Sequence, residues 1–244
     1  MSYRIRPLFL GSKVSDKSES LYLYPRGEEV RCCYCCFLVE GEGHKFLVDV
    51  GMPSQEYIAG KPFTVLEDAV RFEDALKRAG VDPEEIHIVI LTHLHYDHCF
   101  NLDKLPNARI YVQKRELANA LAPMPCERRV YSLLPECGAP GWLSGVGRFE
   151  VVDGDCEILP GVHVYLMPGH SPGSQSVSVC TSEGIYVMTG DYIPILDNYE
   201  KCIPNTIHSS LREWYESYEK LSRLNAKLLP GHDMRVFDRE VYGE

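Results

Sequence analysis

At four places in this chain, an apolar strand-like run ends in a residue type that binds metal ions. The run HIVIL leads into LTHLHYDHC, and three later runs end in a glycine or Pro-Gly turn before the next candidate. In α/β folds, ligand sites gather at the carboxyl ends of the strands. We therefore expect one shared site from the seven side chains concerned, which are His93, His95, Asp97, His98, His170, Asp191 and His232.

The spacing of these residues predicts a site for two metal ions. His93 and His95 are two residues apart, so an extended chain projects them to the same side. A helix that starts after them would place Asp97 and His98 in its first turn. Four ligands suffice for one zinc, whereas seven suit two ions about 3.5–4 Å apart that share a carboxylate and a water. Zinc is the expected metal, and iron, manganese or cobalt would accept the same ligands.

Composition restricts the function classes. The chain has 244 residues and a formal net charge of −10, which disfavours nucleic acid as a partner. The N-terminus shows no signal-peptide pattern and no apolar run reaches membrane-spanning length, so we expect a cytoplasmic protein with no membrane partner. A small molecule is the expected substrate, and a homodimer is left open.

Ten cysteines are present, and four of them lie in RCCYCCFLVE. Cys32 with Cys35 and Cys33 with Cys36 each form a CxxC pattern, but no second CxxC lies downstream to complete a four-thiolate site. We interpret this run as an apolar strand with reduced thiols that act as small buried residues.

Alternating strand-like and amphipathic segments predict a single α/β domain over residues 1–244. A hairpin is predicted around Gly41-Glu42-Gly43, and one-sided apolar patterns predict helices at Leu66–Ala79 and Leu211–Leu224. Ser210 and Glu213 form a capping-box pattern before the second helix. Further strands are predicted at His87–Leu91, Arg109–Val112, Val162–Met167, Ser176–Cys180 and Ile185–Thr189.

The segment Ala122–Gly147 is rich in proline and glycine and is long for a loop in a compact domain. We predict that it shapes the substrate pocket, with Trp142 covering an apolar substrate. A peripheral insertion or a subunit contact is the alternative.

With these motifs in place, the sequence resembles the metallo-β-lactamase superfamily. FLVDVGMP, LTHLHYDHC and PGHSPGSQS are most similar to its N-acyl-homoserine lactonase branch. The resemblance covers the chain from about Cys32 onward and implies a four-layer αββα sandwich. It also implies a division of the ligands: His93, His95 and His170 at one metal, Asp97, His98 and His232 at the other, and Asp191 between them.

The chemistry that we expect is hydrolysis of a lactone or small ester. Two metal ions lower the pKa of a bridging water, and the resulting hydroxide attacks the carbonyl carbon. Asp97 is the candidate proton shuttle to the leaving group, and Asp191 holds both ions. A thioesterase like glyoxalase II is the alternative enzyme, and a metal-binding sensor without catalysis is the alternative from another class.

One position departs from the lactonase branch. That branch has a tyrosine three residues after the bridging aspartate, in contact with the substrate carbonyl, where this chain has Pro194. Tyr192 lies one residue after Asp191 and need not reach the same point. The departure concerns the identity of the substrate rather than the hydrolytic chemistry.

Overall fold

Two β-sheets form the centre of the protein in a computed structural model that describes residues 2–244. Six strands build the first sheet in chain order, and β1 and β2 form a long antiparallel pair. These strands are β1 (Tyr3–Asp16), β2 (Glu29–Gly41), β3 (His44–Val48), β4 (Ile88–Ile90), β5 (Arg109–Gln113) and β6 (Phe149–Val152). The parallel strands β3, β4 and β5 bring their carboxyl ends to one edge.

The second sheet has five strands in the order β11-β10-β9-β8-β7. They are β7 (Cys156–Leu159), β8 (Val162–Leu166), β9 (Gln175–Thr181), β10 (Gly184–Gly190) and β11 (Lys227–Pro230). Strands β10 and β11 are parallel, so their carboxyl ends also share an edge. Asp191 follows β10 directly, and His232 lies two residues after β11.

In the part of the chain that the structure describes, six α-helices and several 3-10 turns surround the sheets. The α-helices are α1 (Gln55–Ile58), α2 (Phe72–Arg78), α3 (Tyr96–Cys99), α4 (Lys114–Leu121), α5 (Leu196–Glu200) and α6 (Leu211–Arg223). Among residues 2–244, no helix combines the length and the apolar character needed to cross a lipid bilayer.

The buried side chains show four layers. One apolar cluster lies between the two sheets and includes Phe46, Val177 and Met188. Apolar residues of α2 and α4 pack on the outer face of the first sheet, and Trp214 and Leu221 of α6 pack on the outer face of the second. This arrangement confirms the predicted αββα sandwich; that residues 1–244 form a single domain stays a prediction.

The predicted hairpin and the five predicted strands are present, with bounds that differ by one or two residues. Helix α6 matches the prediction closely, and the Ser210 hydroxyl caps it by accepting a hydrogen bond from the Glu213 amide. Strands β1, β6 and β7 were not predicted. Of these, β1 supplies Lys13 and Ser15 to the cavity described below.

The predicted helix at Leu66–Ala79 is wrong over its first half, because α2 begins only at Phe72. The Glu67 backbone instead pairs with Ser12 of β1 through two hydrogen bonds of 2.7 and 3.0 Å. Asp68 has a φ of 48°, which is outside the helical region. Tertiary pairing with an edge strand therefore overrides the helical pattern at this point.

The cysteine-rich run lies entirely within β2, where successive side chains face opposite sides. Cys33 and Cys35 face the cluster between the sheets, while Cys36 faces the outer cluster. All ten cysteines are free thiols. The partners in each CxxC pattern face different environments, in line with a packing role for this strand.

Candidate metal centre

Three histidines converge at the edge where the parallel strands end. His170 Nε2 lies 3.3 Å from His93 Nε2 and 3.0 Å from His95 Nδ1. All three side chains are almost fully buried. Nitrogens at ~2.0–2.1 Å from a tetrahedral zinc are separated by a similar distance, about 3.3 Å. The three rings therefore form one half of a site with the dimensions of a metal centre.

A second group lies next to the first and consists of Asp97, His98, Asp191 and His232. Helix α3 places Asp97 and His98 in its first turn, as the sequence predicts. Asp191 Oδ1 lies 3.0 Å from His98 Nε2 and 2.9 Å from His232 Nε2. Asp97 Oδ2 lies 3.8 and 3.7 Å from the same two nitrogens.

The Asp191 carboxylate lies between the two groups. Its Oδ1 faces His98 and His232, whereas its Oδ2 lies 3.6 Å from His170 Nε2. One carboxylate thus offers one oxygen to each group, which is the geometry of a bridging ligand.

Two buried polar atoms of this centre have no hydrogen bond. They are His98 Nε2 and Asp191 Oδ1, which lie 3.0 Å apart without the geometry of a hydrogen bond. Buried polar atoms are almost always satisfied, so an exception at such a point calls for a ligand. A divalent cation would satisfy both atoms, and the His and Asp donor set is one that zinc accepts.

The charges divide between the two groups. Burial, with the neighbouring imidazoles, lowers the pKa values of His93 and His95, which keeps these rings neutral. Burial opposes protonation of His232 as well, but the Asp191 carboxylate raises its pKa to about 9. Burial disfavours the Asp191 anion, yet His232 and His98 hold the pKa of this carboxyl well below its usual range. In the second group, protonated imidazoles therefore surround an anionic Asp191. A metal cation could take the place of these protons.

Four of the histidines have their other ring nitrogen fixed by a partner outside the centre. The Nδ1 atoms lie 2.8–3.0 Å from these partners, and such contacts fix the tautomer and the ring orientation. The partners are Thr92 Oγ1 for His93, Asp49 Oδ2 for His98, the Ile207 carbonyl for His170 and the Cys33 carbonyl for His232. Sequence reasoning identified none of them.

Glu116 of α4 is a further residue that sequence reasoning missed. It is fully buried, and its carboxylate accepts hydrogen bonds from the Leu94 and Gly173 amides and from the Tyr131 and Ser171 hydroxyls. Burial raises the pKa of this carboxyl, and the four donors oppose the rise. Glu116 thereby ties the His93–His95 segment to the turn that follows His170. The signal in the sequence is that Glu116 lies four residues before Ala120, on the buried face of α4.

A cavity of about 310 Å³ opens onto the two groups. Its walls include His95, Asp97, His170, Asp191 and His232, together with Tyr34, Thr64, Tyr96 and Arg129. Few aliphatic side chains line it, namely Val130, Pro194 and Ile207. The proposed metal ligands therefore face a space of substrate size with mostly polar walls.

The prediction that Trp142 covers a substrate is wrong. Trp142 is 2% exposed, belongs to the apolar cluster outside the first sheet and does not line the cavity. Its segment nevertheless reaches the cavity through Arg129 and Val130, and the Tyr131 ring lies 4.7 Å from the His95 ring. The segment Ala122–Gly147 therefore forms part of the cavity wall, as predicted, although Trp142 does not take part.

Tyr192 does not replace the tyrosine absent at Pro194. Its side chain is fully buried, packs against Trp214 and donates a hydrogen bond of 2.8 Å to the Trp214 carbonyl. Pro194 lines the cavity but has no donor. The stretch after β10 therefore presents no tyrosine hydroxyl to a substrate.

Comparison with known proteins places this fold and centre in one class. The model of the metallo-β-lactamase superfamily matches residues 35–232, so the chain belongs to that superfamily. The chain is a hydrolase of this superfamily. Close relatives and structural neighbours of the chain are lactonases.

Several relatives and solved neighbours are named as enzymes that act on N-acyl homoserine lactones. An N-acyl homoserine lactonase of Bacillus thuringiensis is 31% identical over 180 residues, which cover 69% of this chain and 67% of the relative. A solved quorum-quenching N-acyl homoserine lactone lactonase is 26% identical, with a TM-score of 0.77 and coverage of 96% and 94% of the two chains. A solved N-acyl homoserine lactone hydrolase, with N-hexanoyl-L-homoserine bound at its catalytic metal center, is 25% identical, with a TM-score of 0.77 and coverage of 98% and 96%.

Proposed function

We propose that this chain hydrolyses a lactone or a small carboxylic ester at a centre of two divalent metal ions. His93, His95 and His170 would hold one ion, and Asp97, His98 and His232 the other. The position of the Asp191 carboxylate carries this proposal, because its two oxygens face the two groups separately. The lactonase activity named for the relatives supports the substrate class.

When bound, the two ions would supply an activated water and would polarise the carbonyl group of the substrate. The chain's own residues hold the ligands and the substrate. Thr92, Asp49 and the Ile207 and Cys33 carbonyls orient the histidines, and the buried Asp191 keeps its negative charge between them.

Asp97 is the proposed proton shuttle. It is the least buried of the acidic and histidine side chains in HLHYDH, and it lines the cavity beside His232. From there its carboxylate can reach both the centre and a leaving group in the cavity, as a shuttle must.

Metal depletion and reconstitution test the proposal. Protein freed of metal by a chelator should lose turnover of a simple lactone and of a simple ester, and should regain both with two equivalents of zinc per chain. Parallel titrations with manganese, cobalt and iron would identify the metals that support turnover. A binding stoichiometry that stops at one ion would reject the two-metal centre.

The same assay distinguishes the alternatives. Turnover of thioesters with none of lactones or esters would identify a thioesterase instead. Two bound ions without turnover of any of the three classes would identify a metal-binding protein that is not an enzyme.

A further inference from the structure

The cavity has a hydroxyl wall formed by Tyr34, Thr64 and Tyr96. Thr64 Oγ1 lies 3.0 Å from the Tyr96 hydroxyl, which also accepts a hydrogen bond from the Thr64 amide. Tyr34 lines the same cavity. Two phenols and one alcohol thus line the space that a substrate must enter to reach the metal ligands.

Tyr34 is held rigidly in this wall. It lies on β2, and its ring packs against the apolar cluster formed by Met52, Ile58, Phe63, Leu66, Tyr96 and Cys137. The ring centre lies 4.8 Å from that of His232. The preceding residue, Cys33, pairs with His232 through both backbone groups, since its amide donates to the His232 carbonyl and its carbonyl meets His232 Nδ1. The strand that fixes a proposed ligand therefore also fixes the Tyr34 phenol beside it.

Several donors close to the centre are engaged by other groups. The Asn205 amide nitrogen lies 3.1 Å from His170 Nδ1 and from the Asp191 carbonyl. The Tyr96 hydroxyl contacts both the amide and the side chain of Thr64, and the Lys13 ammonium is paired with Glu19 at 3.0 Å. Pro194 has no donor, and the Tyr192 hydroxyl is turned away toward Trp214. Among the cavity residues that contact a proposed metal ligand, Tyr34 retains a proton that it can donate to a substrate.

We propose that the Tyr34 hydroxyl donates a hydrogen bond to the carbonyl oxygen of the substrate and stabilises the negative charge that develops there. This inference rests on the proposed hydrolysis of a lactone or ester. Thr64 acts on Tyr34 as a positioning residue, because the two side chains share one wall of the cavity. Fixed donors directed at a developing oxyanion are among the strongest contributions that a protein makes to acyl transfer.

Replacement of Tyr34 by phenylalanine tests the proposal, because the ring and its packing stay in place. Removal of one oxyanion donor costs about a hundredfold to a thousandfold in kcat where that donor acts without metal. With two ions sharing the charge, we expect a loss of about ten- to a hundredfold in kcat and a change in KM of less than about threefold. Metal content should stay at the parent value.

Tyr192→Phe is the matched control, because it removes a tyrosine hydroxyl that lies outside the cavity. We expect its kcat to stay within about twofold of the parent value. Thr64→Val is a second variant that keeps the Tyr34 phenol, and its loss in kcat should be smaller than that of Tyr34→Phe. A larger loss for Thr64→Val would overturn the proposal and would assign the substrate contact to Thr64.

A pair of esters with the same acyl group separates an oxyanion donor from a proton donor. A nitrophenyl ester has a good leaving group, and the corresponding ethyl ester has a poor one. An oxyanion donor acts on the carbonyl, so the fold loss in Tyr34→Phe should be similar for both esters. A loss confined to the ethyl ester would overturn the proposal, since it would show that Tyr34 protonates the leaving group.

The outcomes distinguish this inference from the proposed function. Absence of turnover in the metal-reconstituted parent protein would reject the function itself. Turnover in the parent with an unchanged kcat in Tyr34→Phe would reject only the role of Tyr34.

Discussion

Each proposed histidine ligand has two ring nitrogens, and in four of the five one nitrogen is committed to the protein. Asp49 is the most heavily used partner, because its carboxylate accepts from the Thr92 amide and hydroxyl and also contacts His98 Nδ1. His95 differs, since it directs Nδ1 to the centre and rests its ring against Tyr131. The orientation of the ligands is therefore built into the folded chain.

At this scale, Asp191→Ala should be far more damaging than Tyr192→Phe. Loss of a partner outside a metal centre costs about ten- to a hundredfold in affinity or activity. A carboxylate between both groups should cost more than about a hundredfold in kcat/KM. Tyr192→Phe should cost about 0.5–1.5 kcal/mol of stability, because one buried hydrogen bond is lost while the Trp214 carbonyl keeps its place in α6. Kinetics and thermal unfolding of both variants check this, and equal losses in kcat/KM would contradict it.

Glu116→Gln should weaken metal binding although Glu116 is not a proposed ligand. The amide nitrogen of glutamine would face hydrogen-bond donors and lose at least one of the four contacts that Glu116 makes. We expect metal affinity to fall by about ten- to a hundredfold. Competition with a chromophoric chelator would measure this. An unchanged affinity together with reduced thermal stability would limit Glu116 to a packing role.

At the scale of elements, the turn after His170 lies directly against α4. A Cβ atom on Gly173 would lie 2.0 Å from the Glu116 amide nitrogen, so only glycine allows this close approach. Gly173→Ala should cost about 1–3 kcal/mol of stability through overpacking, and it should lower metal affinity. Gly147→Ala is the control, because a Cβ there meets no atom within 4 Å. Equal unfolding midpoints for the two variants would show that the turn can move away from α4.

Trp142→Ala should act on stability and not on substrate preference. Trp142 fills the outer apolar cluster, and truncation of a buried tryptophan costs about 3–5 kcal/mol. Chemical denaturation measures that loss, while KM for short and long acyl substrates should stay at the parent values. A change in acyl preference without loss of stability would contradict this prediction and would indicate that Trp142 contacts the substrate.

The same elements show what the sequence could predict. The strands that precede the proposed ligands are apolar and are bounded by glycine and proline, so the sequence pattern predicts them. The seven proposed ligands could be predicted because they come after such strands in the sequence. Tyr34 could not, since it lies inside an apolar strand and reaches the site only because β2 runs beside the His232 turn. The early end of the Leu66–Ala79 pattern depends on pairing with β1, which is a long-range contact.

At the scale of the whole molecule, the centre joins both sheets. Asp49 and His98 belong to the first half of the sandwich, whereas Asp191 and His232 follow strands of the second sheet. Ions that bind only the folded chain stabilise it by mass action, about 2.7 kcal/mol for each site at a free concentration of a hundred times Kd. Metal removal should therefore lower the thermal midpoint, and calorimetry with and without chelator checks this. A midpoint that does not depend on metal would argue against a centre shared by the two sheets.

The pairing of Cys33 with His232 spans 199 residues, and this sets an order on the centre while the chain is being synthesised. A ribosome that has passed His170 has already delivered His93, His95 and His170, the complete first group. The second group stays incomplete until His232 emerges, even though Cys33 and Tyr34 were among the earliest residues made. The first group is itself oriented only after Ile207 has been made, because the Ile207 carbonyl fixes His170 Nδ1. The last residues that the two groups need, Ile207 and His232, therefore both lie in the final part of the chain.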